Sequence, residues 1–432
     1  MSVRPSDTVC VLDIGTSKVV CLIGQKDPVM GIRMLGCGTA CSGGIKAGAV
    51  VDLEAAEMGI RKAVEKAERA AGVSVHGVSV NVGLRSLESR HLRVQTQFAS
   101  GAIADRDLKR VIGTSLSELS QPDYAILHAL PLDWEVDGES GIRDPRGMYG
   151  QKLGVDMHFV TAGIGPLRNL AHCIERCHLA LRSVTANPYA AAQSVLTEDE
   201  RDLGVTLIDM GGGLTTVSVF RDNTLIHVDA IGVGGRNVTS DIARGLNTPF
   251  EAAERIKLFY GSALHGARDE YEQIPCPPVA AMDELQHVAR SQLTTIIRAR
   301  TEETLELIRD RLADARLDAY SGRQIVLTGG ASQLSGLREV TELVFNKRVR
   351  IGTPHGVFGL TDVMDAPDYA VATGLLRHAF QQQSEAISGP PDLSGRRYQR
   401  SRYQGNAFSR SVQWLRDNPR IMKTSFVAPS GA

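Results

Sequence analysis

Leu207-Ile208-Asp209-Met210-Gly211-Gly212-Gly213-Leu214-Thr215-Thr216 joins one apolar strand pattern to another through three consecutive glycines, with an aspartate just ahead of them. Glycine loses more conformational freedom on folding than any other residue, so three in a row between buried strands imply a backbone that must come close to something. A phosphate is the natural candidate, because successive backbone N–H groups in a tight turn form an anion cradle.

The same arrangement stands near the start of the chain. Asp13-Ile14-Gly15-Thr16-Ser17-Lys18 lies between two strand-like runs spanning residues 8–23. A carboxylate at a strand end, a glycine, two hydroxyls and an ammonium suit a nucleotide phosphate and its Mg²⁺, with aspartate orienting metal-bound water. Taken alone, a glycine hairpin without ligand is the commoner reading. The second turn changes that balance, since a repeated hairpin predicts two similar lobes whose turns grip one ligand. A third turn, Leu327-Thr328-Gly329-Gly330-Ala331-Ser332, also ends a strand and would border an adenosine. No glycine-rich loop ends in Gly-Lys-Ser/Thr, which excludes a P-loop.

Working outward, helical spacing is predicted over 53–71, 166–181, 186–196, 282–315 and 367–380, and from about residue 249 onward. Strands are predicted over 75–82, 204–210, 215–220, 223–232 and 324–327. Residues 137–150 read as loop-rich and 274–279 as a strand-poor connection, while a further helix opens near Asp105. The expected fold class is α/β: two similar domains facing a ligand cleft, with an inserted α+β subdomain and an amphipathic C-terminal tail. Residues 1–82, 163–202 and 362–383 would form the first domain and 83–162 the insert. Residues 203–248 and 323–361 would form the second domain, with 249–322 its helical subdomain, 384–405 a flexible linker, 406–418 an amphipathic helix and 419–432 a flexible end.

At 432 residues the chain exceeds one ordinary core, and 43% apolar with 22% charged residues is the balance of a soluble globular protein. Seven cysteines, several inside apolar runs such as Cys10-Val11-Leu12, read as reduced thiols in a reducing compartment. Cys37 with Cys41, and Cys173 with Cys177 beside His172 and His178, leave zinc open as a minor alternative to core packing. No run approaches the ~20 apolar residues that span a bilayer, and no signal peptide precedes the first strand.

The net charge of −1 conceals a cationic tail. After Ser384, Arg396, Arg397, Arg400, Arg402, Arg410, Arg416, Arg420 and Lys423 face only Glu385, Asp392 and Asp417. Phe408, Val412 and Leu415 fall on one helical stripe flanked by Ala407 and Trp414, with Arg410 and Arg416 on other faces and Pro419 limiting the helix. Such a helix lies in the interface of an anionic membrane, weakly per molecule and more firmly in a polymer. Two alternatives stay open here: the stripe docks on the body, or Arg397, Tyr398, Arg400, Arg402 and Tyr403 form a nucleic-acid arm. No nucleic-acid fold precedes the arm, so no nucleic-acid partner is expected.

Two aspartate-headed hairpins, a linking helix and a later Thr-Gly-Gly turn, in this order, resemble the actin, hexokinase and heat-shock chaperone superfamily, which implies an actin-like fold of two RNase H-like domains facing a nucleotide cleft. Residues 194–201, 234–243, Val349-Arg350-Ile351-Gly352 and Gly359-Leu360-Thr361-Asp362 look like the FtsA family of bacterial cell-division proteins, a resemblance covering roughly residues 9–380. It implies that Gly15, Thr16, Ser17 and Lys18 hold the phosphates of ATP with Gly211, Gly212, Gly213 and Thr215. It further implies that Asp13 and Asp209 orient Mg²⁺ through water, and that Gly234, Gly235, Lys257, Gly329, Gly330 and Ser332 border ribose and adenine. Implied partners are the tail of the tubulin-like FtsZ, docking near Arg298 and Arg300, further copies of the chain as a polymer, other division proteins, and the cytoplasmic face of the plasma membrane at the septum. Two departures weaken any ATPase. Leu214 stands where the superfamily usually has threonine, and Asn187 where the chaperones carry a glutamate, a better proton acceptor than an amide. The resemblance therefore implies slow hydrolysis at most, and the runner-up is a pilus-assembly-type or chaperone-like ATPase of the same superfamily.

Overall fold

β1 (Thr8–Ile14) pairs antiparallel with β2 (Lys18–Asp27), which pairs with β3 (Gly31–Cys41). The computed structural model describes residues 8–119, 121–279, 284–317, 322–381, 385–387 and 389–394. β3 was not expected: its sequence, GIRMLGCGTAC, breaks the apolar alternation with glycines. The glycines are there for packing, since a β-carbon at Gly36 or Gly38 would run into the backbone of the helix laid across them. A short ribbon, β4 (Ile45–Lys46) and β5 (Ala49–Val50), leads to that helix, α1 (Leu53–Ala71). Asp52 caps α1 by accepting from the N–H groups of Glu54 and Ala55, and Gly72 in the left-handed region ends it. β6 (Gly77–Val82) then runs parallel to β1.

The insert follows as β7 (Glu88–Ala102), α2 (Asp105–Leu119), β8 (Tyr124–Val136), β9 (Glu139–Ile142) and β10 (Tyr149–Gly163), in the sheet order β7-β10-β8-β9. Its own core holds Val111, Leu116, Trp134, Met157 and Phe159. The stretch expected to be loop-rich thus contains an edge strand, β9, paired to β8. The chain returns through α3 (Ile164–Arg176), which stops earlier than the apolar period suggests. His178 takes φ 61°, turning the chain into β11 (Ala180–Ala186), an unexpected strand lying mostly between the two expected helices. α4 (Asn187–Val195) and α5 (Glu198–Leu203) lead across.

The second lobe repeats the first. β12 (Val205–Met210), β13 (Thr215–Arg221) and β14 (Thr224–Ile231) form a meander, followed by α6 (Gly235–Gly245) and α7 (Phe250–Tyr260). β15 (Gln273–Cys276) runs through the connection expected to be strand-poor and pairs with β16 (Gln286–Ala289), which takes the start of the expected helix, so α8 (Arg290–Asp314) starts later than predicted. β17 (Gln324–Thr328), α9 (Leu337–Phe345) and β18 (Arg348–Ile351) complete the sheet, and α10 (Ala370–Phe380) returns to the first lobe. The sheet orders β11-β6-β1-β2-β3 and β18-β17-β12-β13-β14 correspond strand for strand, each with two parallel pairs and an antiparallel meander.

One apolar core runs from β1 and β2 through the small residues Ala190, Ala191 and Ala192 of α4 to Leu207 and Phe220 of the second sheet. A β-carbon at Gly374 of α10 would meet the carbonyl of Ala190, so these two helices pack backbone to backbone. The insert also touches the second lobe: Ser89 Oγ accepts from Val228 N–H at 2.6 Å, and His158 Nδ1 lies 2.8 Å from the Leu225 carbonyl. Beyond α10, Glu385 and Ala386, which fall in the linker expected from residue 384, are buried. Residues 406–418, the expected amphipathic helix with Phe408, Arg410, Val412, Trp414, Leu415 and Arg416, lie outside the described residues. Among the described residues, no helix is long and apolar enough to cross a membrane.

Candidate functional site

The two aspartate-headed turns close in the same way. Gly15 N–H donates to the Lys18 carbonyl at 3.0 Å, and Gly211 N–H to the Leu214 carbonyl at 2.9 Å. Neither Gly15 nor any of Gly211, Gly212 and Gly213 uses the left-handed region. What these positions require is space. A β-carbon on Gly213 would lie 2.8 Å from Thr16 Oγ1, and one on Gly212 would strike Ser17 Oγ, so the tips of the two hairpins face each other across the cleft at contact distance.

Asp13 and Asp209 close the two strands at the base of this junction, 9% and 6% exposed. Burial pushes both carboxyls up to about 7; nearby Lys18 pulls Asp13 back while Asp368 raises it, and the Asp13 charge adds to the burial effect on Asp209. Asp13 Oδ1 accepts from Asn81 Nδ2 at 2.7 Å, and Asn81 Oδ1 accepts from Ile14 N–H at 2.7 Å. Asn81 Nδ2 also reaches Asn187 Oδ1 at 3.1 Å. Asn81 thus fixes the first aspartate from the neighbouring strand, a role that inspection of single motifs missed. The available signal was an asparagine between Val80 and Val82 in a strand that is otherwise apolar at its end.

The third turn abuts Asp209. Gly329 has φ 85°, and a β-carbon there would hit the Asp209 carboxylate and lie 2.6 Å from the Met210 carbonyl. Ser332 Oγ donates to the Gly329 carbonyl at 2.7 Å and is buried, and Thr215 Oγ1 donates to the Val233 carbonyl at 2.8 Å, so both hydroxyls hold the loops in shape. Gly235 and Arg236 donate their N–H groups to the carbonyls of Gly211 and Gly212 at 3.0 and 2.7 Å, which ties α6 to the second turn. Gly234 permits that approach, since a β-carbon would lie 2.6 Å from the Gly211 carbonyl. Lys257 Nζ donates to the Gly235 carbonyl at 3.2 Å and pairs with Glu254 at 2.8 Å. Gly330 lies against Asp368, whose carboxylate holds Lys18 Nζ at 2.5 Å while the ammonium rests over the Tyr369 ring. Asp368, read from sequence only as part of a helix start, is thereby the partner of Lys18.

Arg298 and Arg300 lie on α8 rather than on these turns. Arg298 pairs with Glu302 at 2.8 Å, while Arg300 is engaged by Asp241 at 2.5 Å and by Glu303. No cysteine enters a metal-binding cluster among the described residues, so the minor zinc alternative for the cysteine pairs finds no support there. Two buried carboxylates flanking a junction lined by hydroxyls and glycine backbone suit a triphosphate with a hard divalent cation held through water.

Two family models match the chain: "Cell division protein FtsA" over residues 206–374, and "SHS2 domain inserted in FTSA" over residues 85–161. The cell division protein FtsA of Rhizobium meliloti is 42% identical over 428 residues, covering 96% of each chain. That of Escherichia coli K12 is 31% identical, covering 94% of this chain and 96% of the relative. Among solved structures, the PilM-PilN type IV pilus biogenesis complex superposes with TM-score 0.61 at 17% identity, covering 86% of this chain and 98% of that one. MreB5 of Spiroplasma citri bound to ADP gives TM-score 0.51 at 12% identity, covering 86% and 95%. These superpositions establish the actin-like fold, and at such identities they establish the fold alone.

Proposed function

Since the chain belongs to the FtsA family of bacterial cell division proteins, we propose that it is a division protein clamping Mg-ATP between its two lobes and tethering the FtsZ ring to the membrane. The observation that carries the nucleotide reading is the face-to-face contact of Thr16 and Ser17 with Gly213 and Gly212, with Asp13 and Asp209 behind them. Gly15 to Ser17 and Gly211 to Gly213 would receive the phosphates, and Lys18 would exchange Asp368 for them. Asp13 and Asp209 would hold Mg²⁺ through water, the ion neutralising phosphate charge when bound. Gly234, Gly235, Lys257, Gly329 and Gly330 would border the nucleoside.

Asn187 supplies an amide rather than a carboxylate near Asp13, and Leu214 supplies no hydroxyl, so the bound nucleotide serves as an interlobe brace rather than as fuel. Copies of the chain would assemble into a polymer, recruit other division proteins, and attach through the stripe Phe408, Val412, Trp414 and Leu415, with Arg410 and Arg416 on anionic lipid at the septum. For the FtsZ tail, Arg298 remains the better of the two α8 arginines, because Asp241 already occupies Arg300. Family membership sets the pilus-assembly alternative aside, since 42% identity to a division protein outweighs a likeness of fold at 17%. Isothermal titration tests the clamp: the wild type binds Mg-ATP and Gly212→Val does not, whereas a wild type without binding overturns the reading.

A further inference from the structure

Glu385 lies only 5 residues beyond the last residue of α10, yet its side chain is 4% exposed. Its Oε2 receives the Nδ1–H of His128 at 2.9 Å. The assignment of that proton follows from the other ring nitrogen, because His128 Nε2 accepts the Ala186 N–H at 2.9 Å. Glu385 Oε1 has no hydrogen-bond partner, and His378 Nε2 stands 3.7 Å from it. The Tyr189 ring closes the seat, edge-on to His128 and His378 at 4.9 and 5.2 Å between centroids.

The residues that follow remain attached. Ala386 N–H donates to the Ala129 carbonyl of β8 at 2.8 Å, Ala386 and Ile387 join the insert's core, and Arg168 Nε of α3 donates to the Leu393 carbonyl at 2.8 Å. One short segment therefore ties α10 to the insert and then to the first lobe's outer helix.

We propose that residues 385–387 and 389–393 act as a reversible strap, with Glu385 its latch in the seat formed by His128, His378 and Tyr189, and that its release removes one of the ties between α10, the insert and α3. The reason for reversibility is energetic. A buried carboxylate with one donor and one bare oxygen is poorly repaid for leaving water, so the seat specifies where the strap lies more than it holds the strap down. A zinc ion shared by His128, His378 and Glu385 is the rival occupant, since their ligand atoms lie within 4.8 Å of one another. It would need the lone pair of Nδ1, leaving Nε2 protonated and pointed at the Ala186 N–H, two donors face to face.

The strap stands independently of nucleotide or lipid binding, so its test uses the full chain alone in solution. By hydrogen exchange and mass spectrometry, the wild-type segment containing the Ala386 amide exchanges at least tenfold slower than a free peptide, and at least tenfold faster than the β10 amides around Phe159. Glu385→Ala brings that segment to the free-peptide rate and speeds exchange in β8, while Glu385→Gln, whose amide oxygen still accepts from His128, stays within about threefold of wild type. Wild-type exchange as fast as a free peptide overturns the docked strap, exchange as slow as β10 overturns its reversibility, and unchanged protection in Glu385→Ala overturns the latch. Stoichiometric zinc in the purified wild type, absent from Glu385→Ala, overturns the proposal in favour of a metal site.

Discussion

Thr16 Oγ1 lies 2.8 Å from the point that a β-carbon on Gly213 would occupy, and the two residues belong to opposite lobes. Their contact means that any side chain added at Gly213 acts as a wedge at the cleft floor rather than as a local backbone defect. Gly213→Val is expected to fold, with a thermal midpoint within a few degrees of wild type, and to lose Mg-ATP affinity by a factor of roughly 100 or more, about 3 kcal/mol. Calorimetric titration beside a melting curve reads both quantities.

Mg-ATP affinity should depend on pH near neutrality. Asp13 and Asp209 have carboxyls raised by burial to about 7 in the ligand-free protein, so they are increasingly protonated as pH falls below that value. A cation requires them ionised, and each proton that must leave weakens binding about tenfold per pH unit below its pKa. Titrations between pH 6 and pH 8 should show affinity rising with pH, with protons released on binding, and a flat profile contradicts the assignment. The ligand-free protein moves the opposite way: these raised carboxyls favour the folded state at low pH, and that contribution is lost as pH climbs toward 7.

Asn81 is 3% exposed and bonds both Asp13 and the Ile14 N–H. Asn81→Leu keeps the branched shape but removes the partner of Asp13, the Ile14 N–H and Asn187, at about 1–3 kcal/mol for each group left buried and unpaired. The urea midpoint should fall, and Mg-ATP binding should weaken beyond what stability explains, because Asp13 loses its orientation.

Gly374→Ala places a methyl against the Ala190 carbonyl, where α10 and α4 touch. A cost of about 1–3 kcal/mol is expected from the forced helix displacement, although alanine is the better helix former. Calorimetry on the full chain would detect the shift, and a stabilised variant would show that the helices separate freely.

Trp414→Glu should abolish flotation of the chain with anionic liposomes and leave Mg-ATP binding unchanged. Retained flotation would assign the amphipathic stripe to a protein surface instead.

How much of this was legible in the sequence depends on what each residue answers to. The two glycine turns and their aspartates announced the repeat because their cost in chain entropy has no local compensation, and β1, β2, β12 and β13 follow from them. β3 and β11 stayed hidden because their patterns are set by partners distant in sequence: the glycines of β3 answer to α1, and β11 pairs with β6 across the whole insert. The partners of Asn81 and Asp368 were unreadable for the same reason. Each is an ordinary polar residue until the fold sets it beside Asp13 or Lys18. Glu385 looked like the start of a polar linker, and only the two histidines it meets, 257 and 7 positions away, make it an interior residue.

The Gly163 N–H donates to Ser86 Oγ at 3.1 Å, so the detour through the insert leaves and re-enters at nearly one point. On either side of that point, β6 and β11 are adjacent and parallel, with Val82 opposite Ala186 and α3 between them in the chain. The first lobe therefore reads as a complete strand-helix-strand crossover into which a whole module has been spliced. Its sheet closes without a strand from the module, so the module can change in length and sequence at its β9 edge without altering the strand order of the first lobe.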